Sequence, residues 1–259
     1  MKPKVSENIG IVIPARIDSS RLKHKLLIDI HGLPMIEHVR RRALRNNYKI
    51  PVVVASGDRE ILRIVENFGG DTIETKNVHE NGLSRVGEAS LTLNWDRFIV
   101  LQGDEILTRP KDLDLFIDKN SQPDSHQVIN AVSFLDSSSD IMDESIVKCT
   151  VSINNTISYI FRKSPLISPK VTQLQLLRKI CGLFGITQNA LKQVLAQENT
   201  PIAASESIEQ LKLIELGFEI GLCHFESDFP SVNLQKDLDL VLKIMAENFE
   251  QAEILNSIL

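Results

Sequence analysis

Through the first half of the chain, short apolar runs alternate with stretches whose apolar residues recur at helical spacing. That alternation is the pattern of a parallel sheet covered on both faces. Ile11-Val12-Ile13 reads as a short buried strand, and Pro14 ends its ladder because proline has no N–H to donate. Gly32-Leu33-Pro34 then leads into a helix. Pro34 suits the first turn, Met35, Ile36, Val39 and Ala43 recur on one face, and Arg40, Arg41, Arg42 and Arg45 fall mostly to solvent before the helix ends near Asn46. Residues 51–55 form a second strand. Asp58 caps a helix carrying Ile61, Leu62, Val65 and Phe68 on one face, and Gly69-Gly70 stops it. Residues 97–101 make a further buried strand that ends at Gln102-Gly103-Asp104-Glu105, and a helix follows from Pro110.

From about residue 128 the texture changes. Residues 128–134, 147–153 and 157–161 read as strands with little helix between them, which predicts an antiparallel extension. Pro165, Ser168 and Pro169 mark an irregular loop, and residues 181–187 form another apolar strand. A helix over 207–216, a strand over 218–225 and a closing helix over 234–249, with Leu238, Val241, Leu242 and Met245 inward, complete the chain. The 259 residues suffice for one large domain. The expected fold is therefore α/β, a doubly wound, mostly parallel, Rossmann-like sheet. It occupies a single domain 1–259 with a smaller β-rich portion at about 130–200 that would serve as a subunit contact and, by the resemblance set out below, a sugar pocket.

The net charge of −5, with acids and bases mixed along the chain and no basic block, argues against nucleic acid as a main partner. Cys149, Cys181 and Cys223 are widely spaced in apolar stretches and form no CxxC or Cys/His cluster, so they read as reduced core residues. No apolar run reaches the roughly 18 residues of a membrane span, and Met1-Lys2-Pro3-Lys4 lacks the apolar core of a signal peptide. A soluble, cytoplasmic protein is expected, with no membrane contact.

Chemistry concentrates where strands end. Arg16, Arg21 and Lys25 follow the first strand, and ligands of open α/β sheets bind at the carboxyl ends of strands. These cations would neutralise polyphosphate oxygens, the arginines in bidentate fashion. An ordinary basic surface loop is the other reading. Asp104, ending a strand of the same sheet, faces those cations and suits Mg²⁺, which takes one or two carboxylates plus phosphate oxygens and water; capping the next turn is its alternative use. Arg85 follows Asn81-Gly82-Leu83-Ser84 near a helix start and points back to a nucleotide or out to solvent. Glu209 and Gln210 open a helix, where acids are favoured by the macrodipole alone. In Pro230-Ser231-Val232-Asn233, a helix cap by Asn233 or Ser231 is the simple reading.

In order and spacing these segments resemble the 3-deoxy-manno-octulosonate (KDO) cytidylyltransferase family. The resemblance rests on Ile13-Pro14-Ala15-Arg16 with Ser19, Arg21-Leu22 and Lys25, on Gly32-Leu33-Pro34-Met35-Ile36-Glu37-His38-Val39, and on Gln102-Gly103-Asp104-Glu105. It continues through Ile146-Val147-Lys148, Tyr159, Arg162, Ser164-Pro165, Gly182-Leu183-Phe184-Gly185, Glu209-Gln210-Leu211 and Pro230-Ser231-Val232, nearly the whole chain. It implies the nucleotide-diphospho-sugar transferase version of the fold, CTP and an acidic sugar as substrates, Mg²⁺ as cofactor and a homodimer. By the same resemblance Arg16, Arg21 and Lys25 hold the phosphates, Ala15 lies by the cytosine, Arg85 and Gln102 make further nucleotide contacts, and Asp104 is the principal metal ligand. Arg162, Phe184, Glu209 and Gln210 match sugar-acid positions, and Arg16, Lys25 and Asp104 would carry catalysis.

The departures bear on chemistry. Lys23-His24-Lys25 stands where the family has Pro-Gly-Lys, Ser84 replaces an acid, and Asn233 replaces the aspartate expected as second metal ligand, offering a carbonyl oxygen without charge. Ile180 and Phe184 replace a histidine and a tyrosine, so the pocket loses two hydrogen-bonding groups. Besides CMP transfer to a KDO-like acid, two readings stay open. One is transfer to another acid, such as an 8-amino analogue, a nonulosonic acid or a phosphonate; the other is a nucleotide-binding homologue without catalysis.

Overall fold

The computed structural model describes residues 8–18, 21–226 and 229–259, and its first strand, β1 (Ile9–Ala15), is buried at every residue. Contacts divide the chain into two compact units, one from Met1–Ser121 with Phe229–Leu259 and one from Gln122–Asp228.

In the first unit, β1 lies parallel between β2 (Val52–Ser56) and β4 (Arg97–Leu101), and β3 (Asp71–Glu74) pairs parallel with β2. Successive side chains of a strand point to opposite faces. Since β1, β2 and β4 are buried at every position, both faces are covered, and this explains their unbroken apolar runs. The crossovers that parallel pairing demands are the helices α1 (Met35–Ala43), α2 (Arg59–Asn67) and α3 (Gly82–Ser90), while α4 (Pro110–Asn120) follows β4. A two-residue antiparallel pair, Asp29–Ile30 with Leu33–Pro34, precedes α1. The Trp95 ring lies directly on β1, where a Cβ at Gly10 would sit 2.4 Å from it.

The readings of α1 and of the closing helix need correction. The arginines of α1 do not all face solvent: Arg40 and Arg42 are buried. Arg40 makes a bidentate pair with Glu37 at 2.7 and 2.8 Å, and Arg42 donates to Gln251 Oε1 at 2.7 Å, its guanidinium pKa pushed down to about 10 by burial. The covering element is the helix Phe249–Ile258, whose Ile258 carbonyl accepts from Arg41. The second correction is that the closing helix is two. Gln235–Glu247 ends at Asn248, whose side chain accepts from the Gln251 N–H at 3.0 Å and starts the next helix.

His38 on α1 is fully buried and its Nε2 lies 2.6 Å from the Ile30 carbonyl, an acceptor only, so Nε2 carries the proton. Burial pushes its pKa from 6.5 down to about 4. The unfolded chain therefore binds a proton that the folded chain refuses between those values, and stability falls with pH there. From pH 7 to pH 5 the loss from this group should be about 2 kcal/mol. Urea titrations at the two pH values, on the parent and on a His38→Gln variant that lacks the titration, check it; equal pH dependence in both proteins removes His38 as the cause.

In the second unit the strands are β5 (Val128–Ser133), β6 (Lys148–Val151), β7 (Ile157–Phe161), β8 (Leu177–Thr187) and β9 (Ile220–His224). β8 pairs antiparallel with β5 and β6, and β6 with β7, as the predicted antiparallel extension requires; β9 joins β5 in parallel. β8 begins four residues before the expected 181, because Arg178 and Lys179 interrupt its apolar character while its backbone still pairs with Cys149 and Lys148. Arg178 stacks over the Phe134 ring at 4.3 Å. The unit also holds helices the sequence reading left out, Lys170–Leu176, Gln188–Leu195 and Pro201–Glu206. Two carried readable start signals: Thr187 accepts from the Ala190 N–H at 3.2 Å, and Pro201 occupies the first helical position.

Candidate active site

At the carboxyl end of β1, Ala15 is buried and Arg16 emerges exposed. Ser19 lies outside the described residues. The chain returns through the exposed Arg21 to His24, which takes the left-handed conformation (φ 52°) and starts the turn Lys25–Leu27. A glycine would reach that conformation without strain, so a histidine here costs conformational energy without changing the turn. Leu26 is buried against Gly103, where an added Cβ would meet its methyls at 3.2 and 3.3 Å. That close approach brings Lys25 Nζ to 2.7 Å from Asp104 Oδ2, with only 13% and 22% of the two side chains exposed. The sequence expectation that Asp104 faces the basic loop is met, and the contact is an ion pair partly shielded from water.

Gly82, the first residue of α3, lies against Pro14 and the Gln102 amide. Asn81 and Ser84 close a capping box, Asn81 Oδ1 accepting from the Ser84 N–H at 2.9 Å and Ser84 Oγ accepting from the Asn81 N–H at 3.4 Å. The hydroxyl thus secures the start of the helix. Arg85 is buried, with Nη1 donating to Thr75 Oγ1 at 2.6 Å and the Lys76 carbonyl at 3.1 Å, and Nη2 to the Asn77 carbonyl at 3.2 Å. Burial lowers its pKa, the charge of Asp58 raises it and that of Arg16 lowers it, so the three groups sense one another. Arg85 is thus neither a surface arginine nor a free arm; it clamps the 75–77 loop beside Arg16.

The Val232 N–H donates to the Asp104 carbonyl at 3.2 Å, tying the Pro230-Ser231-Val232-Asn233 turn to the aspartate. The helix after that turn is capped by Asp237, which accepts from the N–H groups of Asn233 (3.0 Å) and Leu234 (2.8 Å), so neither Asn233 nor Ser231 is the cap. Asn233 Nδ2 donates to Ser231 Oγ at 3.2 Å, and the amide oxygen is what this residue offers a cation. Among the described residues no three His, Cys, Asp or Glu side chains cluster as a ready metal cage.

In the second unit, Arg162 donates to the carbonyls of Glu144 (3.1 Å), Glu206 (3.3 Å) and Ser207 (3.4 Å). Its own carbonyl accepts from the buried Lys148 ammonium, which also holds the Asp143 and Ile146 carbonyls. Desolvation lowers the Lys148 pKa. Glu209 and Gln210, both half-buried, open the helix Glu209–Glu215 just beyond Ser207. Gln210 Nε2 donates to Asn130 Oδ1 at 3.3 Å, and Asn130 stands opposite the buried Phe184 in the β5–β8 ladder. The ladder shifts register between Ile180 and Phe184, and Asn130 Nδ2 satisfies the Cys181 carbonyl there at 3.3 Å. Sequence reading missed Asn130; an asparagine inside the apolar run 128–132 was the available signal, since buried amides are retained where they are hydrogen-bonded.

A parallel sheet that gathers a basic loop at the end of one strand and an aspartate at the end of its neighbour defines an α/β nucleotide-binding protein. The chain belongs to the cytidylyltransferase family, whose sequence profile matches residues 10–221. It is 34% identical over 247 residues to a 3-deoxy-manno-octulosonate cytidylyltransferase of Chlorobium luteolum, covering 92% of this chain and 97% of that protein. To the enzyme of the same name from Escherichia coli it is 32% identical, over 93% of this chain and 97% of the relative. Among solved structures, CMP:2-keto-3-deoxy-manno-octonic acid synthetase complexed with CTP superposes with a TM-score of 0.85 at 32% identity, covering 93% and 99% of the two chains. The inositol-1-phosphate CTP transferase from T. maritima shares the fold, with a TM-score of 0.66 at 15% identity over 93% and 95% of the chains.

Proposed function

We propose that this protein transfers CMP from CTP to the anomeric hydroxyl of a KDO-like acidic sugar, releasing pyrophosphate and giving a CMP-activated sugar for surface polysaccharide synthesis. The observation that carries the reading is the Lys25–Asp104 pair at 2.7 Å, which sets a phosphate-binding cation beside a carboxylate at the strand ends. The relatives named above support the choice of CTP and of the acid. The sugar hydroxyl oxygen attacks the α-phosphorus in line, the bond to pyrophosphate breaks, and the hydroxyl proton passes to solvent. No side chain acts as nucleophile. Arg16, Arg21 and Lys25 bind the phosphates and offset the charge that gathers on the leaving group, while Gln102 and Ala15 hold the nucleotide and Arg85 keeps the adjoining loop in place. Arg162, Phe184, Glu209 and Gln210 form the sugar-acid side, the arginine facing the carboxylate.

Mg²⁺ is the cofactor in this reading. The Asp104 carboxylate and the Asn233 amide are hard oxygen donors on segments tied together by the Val232–Asp104 hydrogen bond, and they fit an ion that takes few protein ligands and leaves the rest to phosphate and water. When bound, the ion would supply positive charge to the phosphates. We also propose a cytoplasmic homodimer. A second acid substrate, such as an amino analogue, a nonulosonic acid or a phosphonate, is favoured by Ile180 and Phe184, which bring no hydrogen-bonding side-chain atoms.

The test is pyrophosphate release from CTP and Mg²⁺ across KDO, its 8-amino analogue, nonulosonic acids and simple phosphonates. Release with one acid is expected and names the substrate. Silence with all of them, while calorimetry registers CTP binding, makes the chain a non-catalytic nucleotide binder.

A further inference from the structure

Asp58 occupies the N-cap position of α2, yet its side chain makes no bond to that helix. Its Oδ2 instead accepts from the Ile17 N–H at 2.8 Å, reaching across to the loop after β1 at the residue next to Arg16. An N-cap aspartate that leaves its own helix's N–H groups to other partners gives up a local interaction for a distant one. The surroundings hold it there. Asp58 N–H donates to Oγ of the buried Ser56 at 3.0 Å, and Ser56 is the register partner of Ala15, so the ends of β1 and β2 lie side by side. Gly57 is pressed against the 75–77 loop, where a Cβ would sit 2.6 Å from the Lys76 carbonyl and Asn77 Cα, and this is the loop that Arg85 clamps. The carboxylate therefore stands among the loop bearing Arg16, the turn after β2 and the buried arginine of α3, and its charge acts on that arginine against the charge of Arg16.

We infer that Asp58 is a positioning residue for nucleotide binding, holding the backbone at Ile17 so that Arg16 projects toward the triphosphate. This rests on the CTP reading above. The bond to Ile17 is charge-assisted, and such bonds are roughly twice as strong as neutral ones. Without it the loop must be ordered by the nucleotide itself, and affinity falls accordingly.

The experiment is calorimetric CTP binding, with the KM for CTP, the KM for the acid and kcat, on the parent, Asp58→Ala and Asp58→Asn, each checked by thermal melting. Asp58→Ala should bind CTP about tenfold more weakly and raise the KM for CTP in step, with the KM for the acid within about twofold of the parent. Asp58→Asn, which keeps an acceptor for the Ile17 N–H, should recover to within about threefold. A folded Asp58→Ala protein that binds CTP as well as the parent, or more tightly, overturns the inference, as does an equal rise in KM for both substrates. If the alanine variant does not fold, Asp58→Glu decides, because it keeps the charge and displaces the acceptor: weaker CTP binding supports the role and parental binding overturns it. A parent that binds no CTP at all defeats the functional reading, and with it this one, whereas a parent that binds alongside an unaffected variant defeats only the role of Asp58.

Discussion

Asp104→Asn should fold as the parent does and turn over at least about a thousandfold more slowly, as expected when a fixed charge aimed at a phosphoryl-transfer centre is removed. The substitution keeps size and shape, so the packing around Gly103 and the Val232 N–H bond to the residue 104 carbonyl survive. What is lost is the opposite charge facing Lys25, while the amide oxygen of the variant still accepts from the ammonium, so the lysine keeps a hydrogen-bond partner. The predicted signature is thus a near-parental melting temperature with pyrophosphate release at background. A variant with parental release would take Asp104 out of the reaction, and one that melts far lower would make the aspartate structural.

Lys25→Met should act in two directions. Removing the ammonium withdraws one phosphate partner, and kcat/KM for CTP should fall about a hundredfold. The same change frees Asp104 Oδ2, which lies 2.7 Å from the Lys25 nitrogen. A divalent cation approaching that carboxylate meets a like charge in the parent and none in the variant. Mn²⁺ titration followed by electron paramagnetic resonance, without nucleotide, should therefore show tighter binding to Lys25→Met than to the parent. Weaker or equal Mn²⁺ binding would mean that the lysine and the cation do not compete for this oxygen.

Both variants concern residues legible in the sequence, and the reason is local. A short apolar run closed by a proline and a second ending in Gln-Gly-Asp-Glu each lie near a strand end, although Pro14 does not stop β1, which pairs with β2 through Ala15; parallel pairing of their strands sets both ends on one edge of the sheet. What stayed hidden depends on segments that return from far along the chain. Arg42 reads as a solvent-facing residue of an amphipathic helix until Gln251, more than two hundred positions away, covers it. Asp58 reads as a helix cap because nothing near it in sequence reveals the Ile17 N–H that takes its carboxylate. The break at Asn248 was missed because apolar spacing continues across it, and the asparagine that divides the two helices is recognisable only once its amide oxygen is seen on Gln251. In the second unit Asn130 was passed over as one polar residue in a strand, although the register shift opposite it supplies the carbonyl it satisfies.

The helix Phe249–Ile258 covers Arg42 and accepts from Arg41, both on a helix near the other end of the chain. During synthesis the two units must then mature in an order opposite to their appearance at the ribosome. Residues 122–228 are contiguous and can complete their contacts as soon as they emerge, while the unit begun first holds a half-covered α1 until residues 249–258 arrive. A nascent chain stalled before residue 249 should accordingly expose α1 to proteases and chaperones while its middle portion is already resistant.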